Sequence, residues 1–428
     1  MRASGAVTLV DFRPFRALRY TTRRPLSDVI SPPYDVLSAA AIEELKGRDA
    51  HNVIRLEHPT AALSESPDPY AAAAALLDEW VNDGVLRRDE APAFYLDEQG
   101  FREDGKPRKR NVLYGRLRLQ PWDEGAVLPH EYTMSGPKED RLRLLQALRA
   151  NTSPIYLLYD DRDGEIAALL AGALNAPVVG HATNGGDSHG LRAIEKEALR
   201  GALQERFLGR RLYIADGHHR YETALWYRDL RRQGGVESPG ADYVLVGLTA
   251  GNDPGLSLHA THRLLAEAPV WDMTEQLERD FEVRPIDRPT LDTALAGPDA
   301  AFAIAGLEAP KSLHLLIPHD LGGLAGRVGG DGPNAWRRLD VNIVQHVILG
   351  AYLAMDPLDA NQPGLSYVHS TDEALDAVTS GEAALAFLLR PLLTADLFAV
   401  SDAGARLPQK TTYFYPKLPT GVVINPLD

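Results

Sequence analysis

Short apolar runs alternate with amphipathic stretches along the whole chain, and neither a fixed-period repeat nor a low-complexity tract interrupts them. Runs such as IYLLY (155–159), RLYIA (211–215) and DYVLVGLTA (242–250) read as buried strands. Stretches with helical spacing fall between them, and the alternation predicts a mixed α/β (α+β) chain of several domains. Three regions are expected: 1–120, 121–250 and 251–428.

In the first region, VISPPYDVLS is an extended loop, because Pro32 and Pro33 keep the preceding residue out of helix, and it leads into a helix ending near Gly47. NVIRL (52–56) reads as a strand. Asp68 and Pro69 suit the cap and first position of a helix that stops at Gly84. AFYLDE and NVLYGRLRL predict a hairpin across a charged, solvated turn, Arg102 to Arg110. In the second region, helices are expected from Pro137 to about Asn151, from Glu165 to Leu174, from Leu191 to Leu208, and from His218 to Gly234. A strand is expected around Val178 and Val179. In the third, AAFAIAGL, SLHLLIP and ALAFLL read as strands, and a helix starts near Asp340. Gly322 to Asn334 reads as a surface loop, since it lacks the phosphate-loop spacing. The tail, rich in Tyr and Phe, is expected to dock.

Composition narrows the chemistry. The 428 residues carry 45 Lys+Arg against 59 Asp+Glu, a net charge of -14. That disfavours nucleic acid and anionic membranes as partners. No apolar run is long enough to span a bilayer, and the start lacks a signal-peptide core, so a cytoplasmic location is expected. There is no cysteine, which excludes thiol nucleophiles, disulfides and Cys-ligated metals.

The strongest chemical signal is ADGHHRYETAL (215–225). A strand enters a turn at Asp216-Gly217, and a helix begins at once. His218, His219 and Arg220 place cations at the positive end of the helix dipole, which is unfavourable unless an anion binds there. The bland alternative has Arg220 paired with a carboxylate and both histidines packed. A shared metal is disfavoured, since adjacent helical residues point about 100° apart. The second signal is LPHEYTMSGPKEDRLRLL (128–145). Glu131 sits in a loop before a helix start and is a candidate base. Lys138 and Arg141 are candidate phosphate ligands, or else a solvated first turn. Tyr34 and Asp35 are loop candidates for binding, and His259 and His262 read as a pocket wall.

Together ADGHHRYETAL, HEYTMSGPKEDR, SPPYDV and PQKTTYFYPKLPTG resemble a bacterial and archaeal family labelled as a domain of unknown function. The part from Glu131 to Leu225 is also similar to the ParB/sulfiredoxin superfamily, whose Gly-x-[HR]-R turn binds nucleotide phosphates. Sulfiredoxins carry cysteine where this chain has His218, so their chemistry is excluded. The free-serine kinase branch is nearest in pattern, with its Asp-Gly-His-His-Arg turn and an upstream His-Glu pair, here His130-Glu131. The resemblance implies a ParB/sulfiredoxin-like nucleotide-binding core in 121–250. It implies phosphoryl transfer from ATP or ADP to the hydroxyl of a free amino acid, L-serine first, with Mg²⁺. The implied catalytic residues are Glu131, His219 and Asp216. Phosphate ligands would be Gly217, His218, His219, Arg220, Lys138 and Arg141, and substrate ligands His130, Thr133 and Tyr221. Asp216 would be the metal ligand. The alternative is a ParB-like nucleotide switch or NTP hydrolase without a small acceptor. A small-molecule partner is expected, with a homodimer left open.

Overall fold

The computed structural model describes all residues except 1–8, 22–24, 60–67, 133–137, 185–186, 237, 270, 297–301 and 331. The chain is mixed α/β, and it divides into two compact units. The first comprises residues 1–128, 134–256 and 416–428; the second comprises 129–133 and 257–415. The sequence pattern predicted three regions with a boundary at 120. Residues on both sides of that boundary share one sheet, because Lys106–Arg118 pairs directly with Tyr243–Ala250.

In the first unit a nine-stranded sheet runs Val127–Leu128, Leu212–Asp216, Ile155–Tyr159, Tyr243–Ala250, Lys106–Arg118, Phe94–Glu103, Asp187–Ile194, Val178–Asn184, with Phe12–Arg13 also against Lys106–Arg118. The strands that carry the apolar runs lie centrally and bury side chains on both faces, as continuous apolar runs require. One face forms the main core with Phe94, Leu113, Ile155, Leu157, Ile214, Phe207 and Val246. The helix Pro69–Asn82 is capped as the sequence predicts: the Asp68 side chain accepts from the Tyr70 N–H, and Pro69 occupies the first turn. The hairpin Phe94–Glu103/Lys106–Arg118 turns at Asp104-Gly105.

Three local readings differ. NVIRL, expected as a strand, contributes to the helix Ile54–Glu57. Its five residues are too few for periodicity to separate buried helix from strand. The expected helix from Leu191 splits into a strand, Asp187–Ile194, and a helix, Glu197–Leu208. The strand pairs on both edges, and this long-range pairing overrides local propensity. The glycine-rich stretch contains the helix Leu321–Arg327, held by burial of Leu324 and Ala325.

The second unit is built on a six-stranded sheet ordered Phe281–Pro285, Leu313–Pro318, Phe302–Ala305, Leu385–Leu388, His262–Leu265, Leu365–Val368. The helix expected near Asp340 begins there and widens into a π-helix over Ile343–Tyr352, buried against this sheet's core. The aromatic tail docks in two parts. Tyr413–Tyr415 pairs with Ser257–His259 in the second unit, while Pro416–Asp428 belongs to the first. No helix among the described residues is long and apolar enough to cross a membrane.

Candidate functional site

The strand Leu212–Asp216 ends in an irregularity. Its register against Ile155–Tyr159 shifts between Ile214 and Asp216, so that Asp216 comes opposite Tyr156. Such bulges re-aim a side chain at a strand end. Gly217 follows with φ +93°, the left-handed conformation that disfavours any side chain. The helix His218–Gln233 then starts with no side-chain cap. Its first-turn amides and its dipole suit an anion.

Asp216 is the hub. One carboxylate oxygen lies 2.5 Å from the Lys417 ammonium and the other 2.5 Å from the Arg220 guanidinium. Burial alone would push this carboxyl up, but Lys417 and then Arg220 hold it well below the usual carboxylate range. Burial would lower the Lys417 ammonium, yet Asp216 and then Asp35, 3.5 Å away, raise it. Arg220 also donates to the Ser153 hydroxyl at 2.8 Å and to the Pro154 carbonyl. Ser153 in turn accepts from the Thr420 hydroxyl at 3.1 Å. Lys417 is itself placed by the residue before it, whose carbonyl accepts from the buried Arg110.

A second cation stands nearby in the same unit. Arg141 pairs with Glu57 at 3.0 Å and Asp140 at 2.6 Å, and its guanidinium lies 4.4 Å over the Tyr34 ring. Glu57, buried, also accepts from the Thr152 hydroxyl. Burial pushes the Tyr34 hydroxyl up, against the opposing pull of Arg220. Tyr34, Glu57, Arg141, Ser153 and Arg220 line one cleft.

The structure thus brings Asp216, Gly217, Arg220 and Arg141 to one place, with His218 and His219 in the same first turn. Other expected residues go elsewhere. Lys138 forms an ion pair with Glu222, joining two helices. Tyr221 is fully buried: its ring stacks on Trp122 at 4.6 Å, and its hydroxyl donates to the Gln120 carbonyl at 2.9 Å. Residue i+1 from Arg220 faces the core because a helix turns 100° per residue. Thr133 lies outside the described residues. His130 and Glu131 belong to the second unit. There Glu131 accepts from the Thr411 amide at 3.2 Å, the Thr412 amide at 3.4 Å and the Thr412 hydroxyl at 3.3 Å. The buried His130 ring lies 2.8 Å from that same hydroxyl.

The expected metal does not fit at Asp216. Each of its oxygens is engaged by a cation, and the described residues contain no group of three or more metal-ligating side chains. Four contributors escaped motif reading: Glu57, Ser153, Thr420 and Arg110. Ser153 and Thr420 carry no chemical signature in their local sequence, and Glu57 directly follows NVIRL, which reads as a strand.

No curated protein matches the chain in sequence. Among solved structures, a free serine kinase variant in complex with ADP is 10% identical, with a TM-score of 0.36, over 71% of this chain and 87% of that one. A conserved hypothetical protein from Pyrococcus furiosus is 14% identical, TM-score 0.34, over 72% and 93%. SbnI from Staphylococcus aureus, with a C-terminal truncation, is 13% identical, TM-score 0.34, over 70% and 84%. A family model matches residues 12–342, and the chain belongs to that family, described as a protein of unknown function (DUF1015).

Proposed function

We propose that the chain is a nucleotide-dependent kinase that phosphorylates the hydroxyl of a free amino acid, L-serine being the first candidate, with ATP or ADP as donor. The observation that carries the reading is the junction at Asp216–Arg220: a left-handed glycine, an uncapped helix start, and two cations set side by side on one aspartate. Phosphoryl transfer asks a protein mainly for positioning and charge neutralisation. Arg220 and Lys417 would repel each other without Asp216; held by it, both can face phosphate oxygens that no single cation would neutralise. His218 and His219 add donors in the same turn.

In the proposed step the acceptor hydroxyl oxygen attacks the terminal phosphorus of the nucleotide. A new P–O bond forms, the bond to the leaving nucleoside phosphate breaks, and the hydroxyl proton passes to solvent water. No step is routed through a metal. Asp216 serves as a counter-ion in this reading, not as a ligand.

Incubating the purified protein with ATP, ADP or CTP and a panel of amino acids, with mass spectrometry of the products, tests the proposal. O-phosphoserine should form only when serine is added. Unchanged turnover in Arg220→Ala would overturn the site assignment. Nucleotide hydrolysis indifferent to added amino acids would replace the kinase with a nucleotide switch or hydrolase.

A further inference from the structure

The cleft beside Arg220 is partly open, and its roughly 500 Å³ counts open solvent as well as sheltered space. Two helices line it, and on both the charge comes first. Along Lys138–Leu148, Arg141 is followed by Leu144, Leu145 and Leu148; along His218–Gln233, Arg220 is followed by Thr223. Residues three and four apart share a helix face, and three residues advance about 4.5 Å. The walls therefore change from cationic to apolar over roughly one helical turn. Ile155 and Val244 add apolar surface from the sheet.

Thr223 is the exception in the apolar part. It is 3% exposed, and its hydroxyl has no hydrogen-bond partner among the described residues. A buried hydroxyl left unpaired is costly, and a threonine within a helix ordinarily satisfies itself on the preceding turn. A ligand that fills this cleft must offer apolar faces to the leucines and a polar edge to Thr223. An acyl chain would leave the hydroxyl unpaired.

We propose that the cleft holds the purine base of the nucleotide, with its faces against Leu144, Leu145 and Leu148 and its edge hydrogen-bonded to Thr223. This inference rests on the nucleotide reading above and adds where the base is bound and by what.

Calorimetric titration of the full chain with ADP and with pyrophosphate tests it. The wild type should bind ADP at least about ten-fold more tightly than pyrophosphate, because only ADP fills the apolar part. Leu145→Trp, at a half-buried position in the wall, should abolish that advantage and leave pyrophosphate affinity unchanged. Thr223→Val keeps the side-chain shape and should weaken ADP about five-fold, again without effect on pyrophosphate. Arg220→Ala should weaken both ligands. Equal wild-type affinity for ADP and pyrophosphate would overturn the base site while leaving the phosphate site standing. An ADP advantage that survives both Leu145→Trp and Thr223→Val would overturn it too. Failure of the wild type to bind either ligand would overturn the nucleotide reading together with the inference.

Discussion

A side chain at position 217 would have to do two things at once: adopt φ +93° and share space with Arg220. A Cβ there would lie 3.2 Å from the guanidinium carbon and from Nε. Gly164 makes a natural comparison, since it also precedes a helix with positive φ, +70°, but has open space around its Cβ position. Both alanine variants should lose about 1–2 kcal/mol of stability from backbone strain. Gly217→Ala alone should also displace Arg220 and reduce nucleotide binding, which calorimetry on both variants would separate. Asp216 makes a second residue-scale prediction. Its pKa is lowered in the folded state, so its stabilisation is present above the ordinary carboxylate value of about 3.9 and is lost as pH falls through the lower folded value. Asp216→Asn should cost about 2–3 kcal/mol near neutral pH, because it leaves Lys417 and Arg220 without their shared anion. That difference should shrink below about pH 4, as urea unfolding across the acid range would show. The turn itself was legible in the sequence, because Asp-Gly before His-His-Arg is a local pattern. Whether Lys417 completes the site or only seals the domain was open from the sequence, since the ion pair joins residues that are 201 apart.

At the scale of elements, the first turn of Lys138–Leu148 shows how far spacing can be read. Lys138 and Arg141 are one turn apart, and both were expected to meet phosphate. Packing separates them: Lys138 turns to Glu222 on the neighbouring helix, while Arg141 turns to Glu57 and Tyr34. The helix was legible from its period and its acidic first turn, Glu139 and Asp140. Which of its cations enters the cleft depended on two other elements, the loop at Tyr34 and the short helix Ile54–Glu57. Lys138→Met should therefore change stability by no more than about 1 kcal/mol and leave ADP affinity within about two-fold, as a partly exposed ion pair allows. Arg141→Met leaves buried Glu57 without its cation, and should lower the melting temperature as well as ADP affinity. Equal losses in the two variants would contradict this division of roles. The left-handed turn and the bulged strand before it belong to the same scale. Period and turn residues placed the strand's end at Ala215, one residue short of Asp216, but the register shift that aims Asp216 depends on pairing with Ile155–Tyr159 and has no local signature.

At the scale of the molecule, the chain leaves the first unit at 256 and returns to it at 416. The returning thirteen residues, 416–428, carry both chemistry and core. Lys417 reaches Asp216, and Thr420 reaches Ser153. Leu418, Val422, Val423, Ile424 and Leu427 are buried, and Asn425 pairs with Asn151 both through the backbone and through its side chain. Burying five such apolar side chains contributes about 10 kcal/mol, comparable to the whole stability of an ordinary domain. The exchange of segments between units could not be read from the sequence. Hydrophobic pattern reports which residues are buried but not against which neighbour, so the tail's docking was legible and its destination was not. A chain ended after Tyr415 should therefore fail to fold its first unit rather than merely lose activity. Limited proteolysis should cleave the truncated chain within residues 94–250, which the full chain should protect. The quadruple change Lys417→Met, Thr420→Ala, Leu418→Ala and Asn425→Ala, made in the full-length chain, should fall between the two, because the backbone pairing of 424–426 remains. Protection of residues 94–250 in the truncated chain equal to that of the full chain would show that the returning segment is an addition to the first unit and not part of its core.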